Sequence, residues 1–132
     1  VVAAADAGGL PIFAAARAMP APDGGVGARA ALLIHLLWEY RAGALLLAVR
    51  ASGLTPVEAL IAGPDGEEEA VAFGWDPPYP ARAVVMRRFI FAETLADRIT
   101  GQGCAALTSG ERREFIRHLR SAADTARTAG LG

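Results

Sequence analysis

The chain has 132 residues, 53% of them apolar, with a formal net charge of −1 at pH 7 and a mean hydropathy of +0.31. This length fits one domain, residues 1–132, and one cysteine with two histidines excludes an internal disulfide and argues against a metal centre built on clustered thiolates or imidazoles. Residues 1–79 carry four arginines and nine carboxylates, whereas residues 80–132 carry nine arginines and five carboxylates. All thirteen cations are Arg, whose planar guanidinium suits carboxylate and phosphate partners.

The first part of the chain is compatible with two secondary structures. Gly8-Gly9 between two short apolar runs favours a β-hairpin over Val1–Phe13, whereas Pro11 in a first helical turn would favour a helix running to Met19. We prefer the hairpin, because Val, Ile and Phe suit strands. The segment that follows, residues 20–25, has the composition of a loop.

The segment Ala28–Ala42 is apolar on nearly every side at helical periodicity, which predicts a central helix that ends at Gly43. Ala44–Val49 then has the length and flanks of a buried strand. We expect no membrane span over residues 28–51, because charged side chains interrupt this window.

Two capping boxes predict helix starts. The box Thr55-Pro56-Val57-Glu58 indicates a short helix to Ala62, closed by Gly63. The box Thr108-Ser109-Gly110-Glu111 opens a long helix over residues 110–129, closed by Gly130.

Between these boxes, Ala70–Trp75 alternates partly between apolar and small residues, which favours a strand. Residues 76–80 contain three prolines and mark the boundary between the acidic and basic halves. A helix over residues 81–100 follows and stops at Gly101. The predicted fold class is therefore α+β, a small antiparallel or mixed sheet covered by a central helix and two long C-terminal helices, with a profilin-like or longin-type α/β sandwich as the alternative.

Arg88 falls within the apolar stripe of the helix over residues 81–100. An unpaired guanidinium there would carry a large desolvation cost, so it should extend to solvent or meet a carboxylate of the acidic half or a ligand anion. A structural pair with a carboxylate of the acidic half is the first interpretation, and Arg88 as an anchor for an anionic ligand or partner is the second.

Arg113, Arg117 and Arg120 form a ridge along the last predicted helix. Such a row suits phosphates, yet Asp124 partly offsets it and no aromatic platform lies nearby. A solvated or subunit-facing ridge is the first interpretation and nucleic-acid binding the second.

Two further pairs are candidates for function. His35 and Glu39 stand four residues apart on the central helix, where an imidazole can meet a carboxylate and serve general acid–base catalysis, although no Ser or Cys nucleophile has a recognisable spacing. Trp75 and Tyr79 flank the proline-rich segment and offer an aromatic contact surface, unless Trp75 is tucked into the core.

These observations favour a non-catalytic interaction or accessory module that self-associates, as a homo-oligomer, or docks a protein partner through arginine-rich and apolar helix surfaces. One alternative is a small enzyme or ligand-binding protein with an anionic ligand held by Arg88 and a His35–Glu39 pair. Another is nucleic-acid binding through the C-terminal arginine ridge. No motif indicates a metal or cofactor, and the lone cysteine suits the cytoplasm or another reducing intracellular compartment.

Overall fold

The computed structural model describes residues 1–128, and within that range the chain is helical and contains no strand. A one-turn 3-10 helix, Val2–Ala4, precedes six α-helices: α1 Pro11–Ala18, α2 Gly25–Ala51, α3 Pro56–Ala62, α4 Gly66–Ala72, α5 Arg82–Cys104 and α6 Ser109–Thr128. The predicted α+β class is therefore wrong, and so is the α/β sandwich given as its alternative.

The first correction concerns Val1–Phe13, which forms no hairpin. Gly8-Gly9 does turn the chain, but Pro11 then begins α1 in its first turn. The alanines after Phe13 are the best helix formers, and they outweigh the strand preference of the few larger side chains. Phe13 and Ala16 are buried by this arrangement.

The second correction concerns Ala44–Val49, which belongs to α2 and not to a strand. Its alanines and leucines are strong helix formers, and the helix runs on through Gly43. A Cβ atom at Gly43 would lie 3.3 Å from Cδ2 of Leu10, so the glycine lets the residue before α1 approach α2 closely. Gly43 is thus a packing position and not a helix end.

The true end of α2 is marked by Gly53, whose φ is +69°. Its backbone N–H donates to the carbonyl of Arg50 at 3.1 Å, and the N–H of Leu54 donates to the carbonyl of Val49 at 3.2 Å. This pattern is the glycine-closed helix end that left-handed backbone permits.

The third correction concerns Ala70–Trp75, which is not a strand. Residues 70–72 complete α4, whose first turn carries three glutamates that favour a helix N-terminus. Gly74 has a φ of +80°, and the N–H of Trp75 donates to the carbonyl of Ala70 at 3.0 Å, which ends the helix.

The capping-box predictions for α3 and α6 are confirmed. The Thr55 hydroxyl accepts from the N–H of Glu58 at 3.3 Å while the Glu58 carboxylate accepts from the N–H of Thr55 at 2.8 Å. Thr108 and Glu111 make the same reciprocal pair at 3.3 and 2.8 Å. The closing glycine predicted for α6, Gly130, lies outside the described residues.

Small residues define the centre of the fold. The helices α2 and α5 pack closely because the residues at their contact are fully buried alanines: Ala44, Ala48, Ala92 and Ala96. Helix α3 packs on α5, and α4 packs on α3. A second cluster joins α1 to α2 through the rings of Phe13 and Tyr40, whose centroids lie 4.9 Å apart.

Among the described helices, α2 is long and apolar enough to cross a membrane by length and composition alone. Its buried side chains, such as Leu36 and Val49, lie in the two protein cores. A helix in the core of a globular protein can meet the same criteria of length and composition.

Candidate nucleic-acid interface

Helices α3 and α4 form a compact pair of seven-residue helices. They are joined by the three-residue turn Gly63-Pro64-Asp65. Ile61 and Ala62 of α3 and Ala70 of α4 are buried in the main core, whereas the first turn of α4 faces outward. Two short helices around a brief glycine-containing turn are the arrangement of a helix-turn-helix unit.

Arg88 of α5 connects the α3–α4 pair to the rest of the protein. Its guanidinium donates to Oε1 of Glu58 at 2.8 Å and to the carbonyl of Gly53 at 3.0 Å. The backbone N–H of Thr55 and the Arg88 guanidinium together lower the pKa of the Glu58 carboxyl below its ordinary value. The structure thus places a carboxylate of the acidic half against Arg88 and uses this arginine to position α3.

The outward turn of α4 is acidic. Glu67, Glu68 and Glu69 occupy it, and the first two are exposed. A depression of about 400 Å³ lies against this turn, and Arg82 is the single cation among the described residues that line it. The negative charge therefore dominates the surface that α4 presents.

Helix α6 is the most solvated long element, with no buried residue over Ser109–Thr128. Arg113, Arg117 and Arg120 follow one another at intervals of four and three residues and so share a face. Of these, Arg117 lies 3.2 Å from a carboxylate oxygen of Glu114, whereas in residues 1–128 Arg113 and Arg120 have no carboxylate within 4.0 Å. The ridge predicted from the sequence is thus a helix face with free guanidinium groups.

The opposite side of α6 is apolar and half-buried. Phe115, Leu119 and Ala126 lie on it. The arginine face of α6 therefore points away from this apolar side, into solvent.

The structure does not bring His35 together with Arg88. His35 Nε2 lies 3.7 Å from Glu39 Oε1 on α2, with the imidazole 53% exposed, and Arg88 is held by Glu58 on another helix. No group of three or more His, Cys, Asp or Glu side chains in the described range is arranged to hold a metal ion. A catalytic role for His35 and Glu39 stays a prediction.

The two aromatic candidates lie on the segment between α4 and α5. The Tyr79 hydroxyl donates to the carbonyl of Trp75 at 2.6 Å, and the Tyr79 ring packs against the main core. Trp75 is 42% exposed and is not tucked into the core. A binding role for this pair also stays a prediction.

Comparison with known protein families adds the observation that decides the class of protein. Residues 1–84 match a helix-turn-helix family. The chain belongs to that helix-turn-helix family. The matched part contains α1 to α4 and the first turn of α5, so the arginine face of α6 lies outside it. No curated protein and no solved structure matches the chain.

The α3–α4 pair is not predicted from the sequence, because the pattern of Ala70–Trp75 favours a strand there. The available signal was the capping box at Thr55 followed by the turn Gly63–Gly66 and a run of glutamates. Carboxylates immediately after a turn are typical of a helix N-terminus.

Proposed function

We propose that the chain binds double-stranded DNA. The observation that carries this proposal is the α3–turn–α4 unit within a segment that matches a helix-turn-helix family. In helix-turn-helix proteins that bind DNA, the second helix approaches the major groove with its N-terminal residues towards the base edges. Helix α4 holds the corresponding place in this chain.

The negative charge of α4 opposes DNA binding, so the proposed function requires positive charge elsewhere in the chain. Phosphates repel Glu67, Glu68 and Glu69, so α4 cannot supply the electrostatic attraction on which DNA affinity rests. A glutamate can accept a hydrogen bond from the cytosine amino group, but this contact distinguishes bases and does not offset phosphate charge. The attraction must come from arginines elsewhere in the chain.

The arginine face of α6 meets this condition. Arg113 and Arg120 are about 10 Å apart along the helix axis, which matches about three base-pair steps of a DNA strand. Guanidinium groups bind phosphate oxygens through two parallel hydrogen bonds, and Arg113 and Arg120 are not engaged by described carboxylates. The proposal therefore assigns phosphate contacts to Arg113, Arg117 and Arg120.

The experiment is a titration of a fluorescently labelled duplex of mixed sequence, followed by anisotropy at a series of salt concentrations. Three phosphate contacts predict a slope of log Kobs against log salt near −2.7, because each contact contributes about −0.9 on duplex DNA. The same strand without its complement serves as the control for duplex preference. Absence of duplex binding at the lowest salt concentration would overturn the proposal.

A second function, docking of a protein partner, is favoured by a separate observation. Large apolar side chains remain exposed on one side of α1 and α2, among them Ile12 at 61% and Trp38 at 65%. Exposed apolar patches of this kind mark interaction surfaces.

A further inference from the structure

A groove of about 550 Å³ runs between the start of α1 and the exposed side of α2. Its wall is mainly apolar and includes Ile12, Trp38 and Leu46, the last of which is 58% exposed. Ala42, at the middle of the groove, is small and allows a second backbone to approach α2 closely. The α2 residues that line the groove extend from Trp38 to Arg50, about three helical turns, so the groove fits an elongated occupant such as a helix.

The charged residues of the groove are Glu39 and Arg50, both on α2. They are eleven residues apart, which is three helical turns and about 20° more, so they lie on the same face of the helix about 16 Å apart. Within residues 1–128, Arg50 has no carboxylate within 4.0 Å, and the ion-pair partner of Glu39 is His35 at 3.7 Å. The groove face of α2 thus has a negative side chain, Glu39, near one end and a positive side chain, Arg50, near the other.

This pattern is self-complementary. Consider two antiparallel helices related by a twofold axis perpendicular to the plane that contains them. The same face of each helix then lies at the contact, and the two faces run in opposite directions. The negative end of the groove face of one copy then lies opposite the positive end of the same face in the other copy, and this happens twice in each dimer. A lone apolar helix of another protein would leave the Arg50 guanidinium of the groove without a carboxylate partner.

We propose that a second copy of this chain occupies the groove, with the two α2 helices antiparallel and Glu39 of each copy paired with Arg50 of the other. The axis then passes between the two α2 helices at the level of Ala44 and Leu45, halfway along each helix between Glu39 and Arg50. Trp38 and Leu46 are covered by the partner in this arrangement, which removes the exposed apolar patch from water.

The test uses charge reversal and light scattering after size-exclusion chromatography, without nucleic acid. The variants are E39R, R50E and the double variant, with R29E as a matched charge reversal at an exposed position of α2 that does not line the groove. Thermal unfolding of each variant records that it is folded.

We expect the wild-type chain and R29E to dimerise. Each single groove reversal brings like charges together twice and should raise the dimer dissociation constant at least about tenfold. An equimolar mixture of E39R and R50E should form heterodimers, and the double variant should form homodimers, because both restore two opposite-charge pairs.

Three results would overturn the proposal: a wild-type chain that remains monomeric at every concentration, single variants that dimerise as tightly as R29E, or folded single variants whose mixture does not associate. Wild-type monomers that partition onto vesicles of zwitterionic lipid would also overturn it, since the groove would then be a membrane-binding surface.

Discussion

The guanidinium of Arg88 lies 2.8 Å from the carboxylate of Glu58 and connects α5 to α3 across thirty residues of sequence. The same guanidinium donates to the carbonyl of Gly53, just beyond the end of α2. Three helices of the fold are therefore joined at one side chain. Because the same Glu58 carboxylate caps α3, this contact lies at the start of the α3–α4 pair.

The first prediction concerns acid stability. The pKa of Glu58 is lowered in the folded protein, so its contribution to stability is present above the ordinary glutamate pKa of about 4.3 and is lost as the pH falls through the folded value. E58Q should therefore lower the melting temperature at neutral pH and reduce the loss of stability on acidification. Thermal unfolding monitored by circular dichroism across this pH range measures both effects.

The control for E58Q is E111Q. Glu111 caps α6 with the same geometry, and the hydrogen bonds from Thr108 lower its pKa, but no arginine within residues 1–128 forms an ion pair with it. E111Q should cost less stability than E58Q. An equal cost would contradict the role given to Arg88.

The second prediction tests the alanine packing between α2 and α5. A48L should destabilise the protein by about 1–3 kcal/mol, because Ala48 is fully buried and the added side chain has no room. A51L, on the same helix at an exposed position, should change the free energy of unfolding by less than about 0.5 kcal/mol. Urea unfolding of the two variants measures the difference, and equal stabilities would contradict the close packing described.

The sequence predicts those parts of the fold that local chemistry decides. Thr55 and Glu58 specify the start of α3 by hydrogen bonds that span only three residues, and the structure has this helix as predicted. The position of Gly43 is decided by Leu10, thirty-three residues away, so no local pattern distinguishes it from a helix end.

The candidate nucleic-acid interface likewise has one part that local sequence decides and one part that contacts distant in sequence decide. The arginine face of α6 follows from helical spacing alone, and the structure places Arg113, Arg117 and Arg120 on one exposed helix. The α3–α4 pair can be predicted only if α4 is recognised as a helix. The apolar run Ala70–Trp75 fits a strand equally well, because only the packing of Ala70 in the core distinguishes the two.

The third prediction concerns the acidic turn of α4. If α4 approaches DNA, E67Q with E68Q should tighten duplex binding, because two carboxylates no longer repel the phosphates. The same change should lower the melting temperature slightly, since each carboxylate at a helix N-terminus contributes about 0.3–1 kcal/mol. Anisotropy titration and thermal unfolding measure these opposite effects.

The control for this double variant is D23N with D76N, which removes two exposed carboxylates outside the helices. It should change duplex affinity less than the α4 variant does. Equal gains from both variants would show that net charge, and not the position of α4, governs binding.

The role of the α6 arginines in DNA binding is tested by the salt dependence of duplex binding for the wild-type chain and the triple variant R113Q/R117Q/R120Q. A charge-matched triple variant, R29Q/R87Q/R98Q, changes three exposed arginines of α2 and α5. The α6 variant should weaken binding to all duplex sequences alike and make the slope of log Kobs against log salt less negative by about 2.7, while the matched variant should retain the wild-type slope. An α6 variant that binds with the wild-type slope would contradict that role.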